Sequence, residues 1–157
     1  MSRGQSKFKT FVININDIKS GVAILNKTNF YTGKIGEYIC AARLTQIGVS
    51  CEIVNLKTTD IIAEYEFGFL RIQVKTSSLK KHGNYYSYQF LTVTGGKKKP
   101  LLKEHCDIIA LVALEHERVL FKPVEYFENK QTKRIPPKKF DEKNLEIKSW
   151  NNCLNFL

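Results

Sequence analysis

With 157 residues, 43% of them hydrophobic, the chain is long enough for one domain with a single sizeable core. It has no apolar run near the roughly 18 residues of a membrane helix. Its formal net charge of +10 disfavours basic partners and favours a polyanion. The basic start, Met1 to Thr10, leads into no apolar segment of signal type, so a cytoplasmic location is expected. Cys40, Cys51, Cys106 and Cys153 are scattered, without a C-x-x-C pair; free thiols, buried where they adjoin apolar runs, in a reducing compartment are expected ahead of a zinc site.

In chain order, Phe8 to Ile15 leans toward a strand, and Asp17 to Lys27 toward a short helix with Ile18, Val22 and Leu25 on one stripe. Asn26 to Thr32 reads as a loop. Gly33 to Ile47 has the strongest helical pattern, with Ile35, Ile39, Ala42 and Ile47 on one face and Gly48 as its stop. Glu37 falls beside that stripe and can reach the edge of the core. Cys51 to Leu56 predicts a strand. Asp60 to Tyr65 and Phe69 to Thr76 predict a hairpin turning at Glu66-Phe67-Gly68.

Ser77 to Asn84 reads as a polar, basic loop, and Tyr85 to Thr94 as an aromatic alternating strand. The run from Gly95 to Pro100 is a turn or mobile loop. Cys106 to Leu114 is almost continuously apolar, as in a strand buried on both faces, and pairs with Arg118 to Lys122 across Glu115-His116-Glu117. Val124 to Phe127 suits a short helix. From Glu128 the chain turns polar and is broken by Pro136-Pro137, with Trp150, Leu154, Phe156 and Leu157 as late apolar anchors. The division is an N-terminal extension (1–32), a core (33–127) and a C-terminal tail (128–157) packing on the core or on a partner subunit.

Within the hairpin, Gln73 and Lys75 stand two apart on an alternating strand and so point to one face. Asp60 opens the facing strand. The hairpin thus gathers a carboxylate, an amide oxygen and an ammonium, a hard-cation site with a positioned lysine, as phosphodiester hydrolysis requires. Each residue also has a plainer reading: Asp60 as a cap or turn after Thr58-Thr59, Gln73 as a polar residue on an open strand face, Lys75 as one surface lysine among many. Between Phe67 and Lys103 the chain has no acid but eight basic residues: Arg71, Lys75, Lys80, Lys81, Lys97, Lys98, Lys99 and Lys103. A solvated basic face or a membrane-surface patch would look similar. Beside a cation site, this run is more simply a nucleic-acid footprint.

With Gly36 to Ile39 (G-E-Y-I), Asp60, and Gln73 to Lys75 (Q-V-K) in this order, the chain resembles the PD-(D/E)XK nucleases over roughly Gly33 to Val124. Thr59 stands where the family name has proline, and Gln73 where it has an acid. The glutamine version is most similar to small homing endonucleases of cyanobacterial introns, and the topology is also similar to archaeal Holliday junction resolvases. The resemblance implies an α+β fold: a restriction-endonuclease-like core with a mixed sheet of about five strands, an N-terminal helix carrying Glu37, and flanking helices. It implies a Mg²⁺-dependent DNA endonuclease, with Mn²⁺ able to substitute, in which Asp60, Gln73, the Val74 carbonyl and Glu37 hold metal and Lys75 assists the attacking water. A structure-selective resolvase and a catalytically silent DNA-binding module are the alternatives. Double-stranded DNA is the implied partner and a homodimer or homotetramer the implied assembly, because one site cuts one strand. Arg71, Ser77, Lys80, Lys81 and Lys97 to Lys99 are the candidate DNA contacts, with Thr76 and Ser78 less favoured. His82, His105 and His116 lack metal spacing and read as solvated or loop histidines; Asp107 suits a pairing with a lysine. Tyr85, Tyr86, Tyr88 and Phe90 suit the core or a sheet face better than base stacking.

Overall fold

The computed structural model describes residues 29–66, 68–94, 99–127 and 131–157. The expected strand at Phe8 to Ile15 and helix at Asp17 to Lys27 lie outside these residues. The first element is helix α1, Asn29–Gln46. It begins within the stretch expected to be a loop, because Asn29 to Thr32 continue the helix one turn ahead of its periodic part. Its buried stripe is also rotated from the expected one. Gly36, Glu37, Cys40 and Leu44 face inward at three- and four-residue steps, while Ala42 is exposed. Gly48, at φ 83°, ends the helix, with Val49 N–H bonding back to the Leu44 carbonyl.

Strands β1 (Cys51–Ile53), β2 (Ile61–Tyr65) and β3 (Gly68–Ser77) follow as an antiparallel meander. The chain then leaves the sheet for β4 (Leu79–His82), β5 (Tyr85–Leu91), β6 (Val93–Thr94) and β7 (Lys99–Pro100). It returns as β8 (Ile108–Ala113), which pairs parallel with β3, and β9 (Arg118–Pro123), antiparallel to β8. A 3₁₀ turn at Val124–Phe127, strand β10 (Thr132–Ile135), a second 3₁₀ turn at Pro137–Lys139 and helix α2 (Leu145–Leu154) complete the chain.

Two sheets matter for function: a five-stranded one, β1-β2-β3-β8-β9, and a three-stranded one, β10-β5-β4. A parallel pair needs a long crossover; between β3 and β8 that crossover is itself β-structure and supplies part of the second sheet. Every residue of β8 is buried, as its unbroken apolar run requires. On one face Ile108, Ala110 and Val112 pack with Cys40 and Leu44 of α1 and with Trp150 and Cys153 of α2. On the other, Ile109, Leu111 and Ala113 pack with Tyr88 and Phe90 of β5 and with Ile135, Phe140 and Leu145.

Three expectations need correction. The polar segment from Ser77 to Asn84 contains a strand, β4, held by backbone pairing to β5 rather than by apolar residues. The strand expected over Tyr85 to Thr94 breaks at Thr92 into β5 and β6. Of the late anchors, Trp150 is buried and Leu154 half-buried, whereas Phe156 is 72% and Leu157 44% exposed. The tail from residue 131 packs on the core: β10 extends the second sheet, and α2 is clamped to β9 where Glu146 receives the Arg118 guanidinium at 2.6 and 2.8 Å and the Val119 N–H at 3.1 Å. All four cysteines are free, with Cys40, Cys106 and Cys153 buried and Cys51 half-buried.

Candidate active site

The site forms where β2 and β3 part. The two strands pair from Tyr65 opposite Gly68 to Ile61 opposite Ile72, and β3 then runs on five residues to Ser77 without β2 beside it. The Val74 N–H would be left open at that fork. The Asp60 carboxylate closes it, with Oδ2 accepting from Val74 N at 2.7 Å and also from Gln73 Nε2. Asp60 is itself fixed in the ladder, its N–H donating to Ile72 O and its carbonyl accepting from Val54 N.

Alternation along β3 sends Leu70, Ile72 and Val74 into the helix-side core and Gln73 and Lys75 to the opposite face, in register with Ile109 and Leu111 of β8. The Lys75 ammonium donates to Val93 O at 3.2 Å, so the crossover holds it in place. Glu37 arrives from α1 because the helix lies unusually close to the end of β3. A Cβ on Gly36 would fall 1.8 Å from Thr76 Oγ1, and the absence of one lets the next residue, 8% exposed, reach the fork. Glu37 Oε2 accepts from Lys34 Nζ at 2.7 Å.

These four side chains line one cleft of about 780 Å³, together with Thr32, Gly33, Lys80, Gln89, Leu91 and Val93. Its electrostatics are strained. Burial pushes the Asp60 carboxyl above its usual range; the Val74 N–H opposes this, Glu37 adds to it, and Lys75 and Lys34 oppose it. Burial also lowers the Lys75 ammonium below its usual value, against the pull of Asp60. Among the described residues no hydrogen bond reaches Asp60 Oδ1, Glu37 Oε1 or Gln73 Oε1. No three His, Cys, Asp or Glu side chains cluster among those residues. A cation here would therefore draw on the two carboxylates plus the Gln73 amide or a main-chain carbonyl, which are hard oxygen donors.

The other candidates divide. Lys80 lines the cleft, while Lys81, its neighbour on β4, points to the other face of its sheet. Lys99 is exposed on β7 opposite Thr94, and Lys97 and Lys98 lie outside the described residues. Arg71 is fully engaged: it bonds Asp107 at 3.0 and 3.2 Å and the carbonyls of Glu104 and Lys103 at 2.9 and 2.8 Å. Asp107 thus pairs with an arginine rather than a lysine. Ser77 is buried; its hydroxyl donates to Ser78 O and accepts from Gln89 N, joining β3 to the second sheet. Tyr88 and Phe90 are core, and Tyr85 and Tyr86 are about half exposed. His116 bonds the Tyr88 hydroxyl at 2.6 Å, and His105 Nδ1 accepts from Leu102 N. Sequence reasoning missed Thr32 and Gln89, for which only a known register between α1, β3 and β5 would have given a signal.

Among solved structures that match, one shares this arrangement of elements over 82% of the chain and 92% of its own length. The chain has the fold of a bacterial homing endonuclease, I-Ssp6803I. The likeness has a TM-score of 0.59 at 16% sequence identity. At this identity, the likeness to I-Ssp6803I establishes the architecture alone. No family model and no curated protein matches the chain. No helix among the described residues is long and apolar enough to cross a membrane.

Proposed function

We propose that the protein is a Mg²⁺-dependent DNA endonuclease, acting in the cytoplasm as a homodimer or homotetramer, and that it cuts at specific sites as homing endonucleases do. The observation that carries this is the convergence of Asp60, Gln73, Lys75 and Glu37 on one cleft at the fork of β2 and β3. The shared fold with a bacterial homing endonuclease supports it, as does the acid-free basic segment from Phe67 to Lys103.

The donor set suits Mg²⁺, which takes one or two carboxylates, further oxygens and several waters. An Asp60 carboxyl whose ionisation is disfavoured by burial, and further by the Glu37 charge, also favours a cation beside it. Bound there, Mg²⁺ would polarise the scissile phosphate and acidify a water. Asp60, Glu37, Gln73 and the Val74 carbonyl would hold it. Lys75 places its positive charge where the attacking oxygen and the pentacovalent phosphorus gather negative charge, and the Val93 carbonyl fixes that position. The water oxygen bonds phosphorus as the P–O3′ bond opposite breaks, leaving a 5′-phosphate, and the 3′-oxygen takes up a proton. Lys80 and the neighbouring basic residues hold the flanking phosphates.

Incubation of the protein with supercoiled plasmids carrying a library of host-genomic inserts, random linear duplex and a four-way junction, in Mg²⁺ and in EDTA, tests the reading. Discrete plasmid cleavage in Mg²⁺ alone is expected. Cleavage confined to the junction would make it a resolvase, and binding without cleavage of any substrate would contradict the enzymatic reading.

A further inference from the structure

The three-stranded sheet has a second face that begins in the cleft and continues beyond it. Residues directly opposite on antiparallel strands share a face, so Leu79, Tyr88 and Ile135 turn together into the core, with Phe90. The reverse face carries the pairs His82–Tyr85, Lys80–Ser87, Arg134–Gln89 and Thr132–Leu91. No acid stands on it. Lys80, Gln89 and Leu91 also line the cleft, so this face runs directly out of it.

Arg134 is the conspicuous residue there. Of the four arginines among the described residues, three are spent on protein acceptors: Arg43 on Glu117 O and Gln46, Arg71 on Asp107, and Arg118 on Glu146. Arg134 is exposed and makes no hydrogen bond or ion pair with any described residue. Its cross-strand neighbour is Gln89, a second planar side chain able to form paired hydrogen bonds. A two-stranded β-ribbon fits the major groove of B-DNA, where a guanidinium fork matches guanine O6 and N7 and an amide matches adenine N6 and N7. A lysine such as Lys80 acts on phosphate as a point charge, whereas a free fork beside an amide is suited to base edges.

We propose that Arg134, with Gln89 beside it, is the base-reading pair of this protein: Arg134 selects guanine and Gln89 a neighbouring adenine in duplex DNA whose backbone lies in the cleft. The inference rests on the DNA-acting reading above but not on catalysis, so its test is a binding selection. Wild type, R134A, R134K and Q89A, all as full chains, are equilibrated in EDTA with a pool of duplexes randomised at the centre, and the bound fractions are sequenced. Wild type is expected to enrich guanine at one position and adenine next to it. Loss of the guanine preference in R134A, about 5- to 150-fold, is expected, with a smaller loss in R134K, whose single ammonium lacks the planar fork; Q89A should relax only the adenine position. An unchanged preference, or R134A flattening the salt dependence by about one phosphate contact without altering sequence choice, would overturn the proposal. A changed oligomeric state with unaltered preference would overturn it too, by making this face a subunit contact. Selective binding by a wild type that cuts nothing would refute the nuclease reading and leave this one standing.

Discussion

Burial holds the Asp60 carboxyl above its ordinary value of 3.8, so the folded protein keeps that proton to higher pH than the unfolded chain does. A raised carboxyl contributes stability that is present below 3.8 and lost as pH rises through the folded value. Neutral pH therefore carries a destabilising charge at the fork, as expected of a site shaped for a ligand rather than for the fold. Asp60→Asn removes the charge yet keeps an oxygen for the Val74 N–H, and Gln73 can turn its amide to suit. Thermal melts without metal should place this variant above wild type at pH 7, by about 2–4 °C if the difference is near 1 kcal/mol, and should converge toward pH 3. A variant less stable at pH 7 would mean that the carboxylate serves the fold. Gln73 is probed by Mg²⁺ titration of the cleavage rate. Gln73→Glu keeps the oxygen and adds charge, and should cut at equal or lower Mg²⁺; Gln73→Leu removes the oxygen and should need far more or fail. If the leucine variant follows wild type throughout, Gln73 is a bystander on the strand.

At the scale of elements, the seat of α1 on β3 decides whether Glu37 joins the site. Gly36→Ala gains about 1 kcal/mol in helix propensity but drives a methyl into Thr76 Oγ1. Overpacking of this kind costs about 1–3 kcal/mol, so denaturant titration should find the variant no more stable than wild type, and cleavage should fall as Glu37 is displaced. Adding Thr76→Ala should recover both; failure to do so would place the constraint elsewhere. The sequence was legible where burial is one-sided and periodic. The alternation of β3 put Gln73 and Lys75 on one face, and the unbroken apolar run announced β8. It was illegible where backbone pairing alone defines an element. β4 buries little beyond part of Leu79, so Lys80, Lys81 and His82 read as loop. The rotated stripe of α1 was hidden because Glu37 and Gly36, neither of them apolar, lie on the buried side. The cleft was half legible: its chemistry came from residue spacing, while Gln89 and Thr32 come from chain crossings that carry no local signal.

Across the whole molecule, two ion pairs brace the five-stranded sheet, Arg118–Glu146 between β9 and α2 and Arg71–Asp107 between β3 and the entry to β8, and they should contribute to the acid limit of stability. Burial acts to raise Glu146, but the Arg118 guanidinium and the Val119 N–H outweigh it and hold its carboxyl below the ordinary 4.5. Asp107 is likewise held below 3.8, against burial, by the Arg71 guanidinium and N–H. Depressed carboxyls contribute stability that is present above those ordinary values and lost as pH falls through the folded ones, the opposite sign to Asp60. Glu146→Gln should cost about 1.5–3 kcal/mol at pH 7 and flatten the acid limb of a stability–pH profile below about 4.5. An acid limb unchanged in that variant would remove Glu146 as its cause.

The same architecture joins a helix, the fork of a sheet and a β-built crossover around one cleft, and that conjunction makes hydrolysis of DNA the central claim. Its most direct measurement is the single-turnover rate at which Asp60→Asn and Lys75→Ala cut supercoiled plasmid in saturating Mg²⁺, alongside their affinity for the same DNA. Both variants should fall about 100-fold or more in rate, the loss expected on removing one partner of transition-state charge, with affinity changed little. Cleavage by either variant at the wild-type rate would contradict the claim.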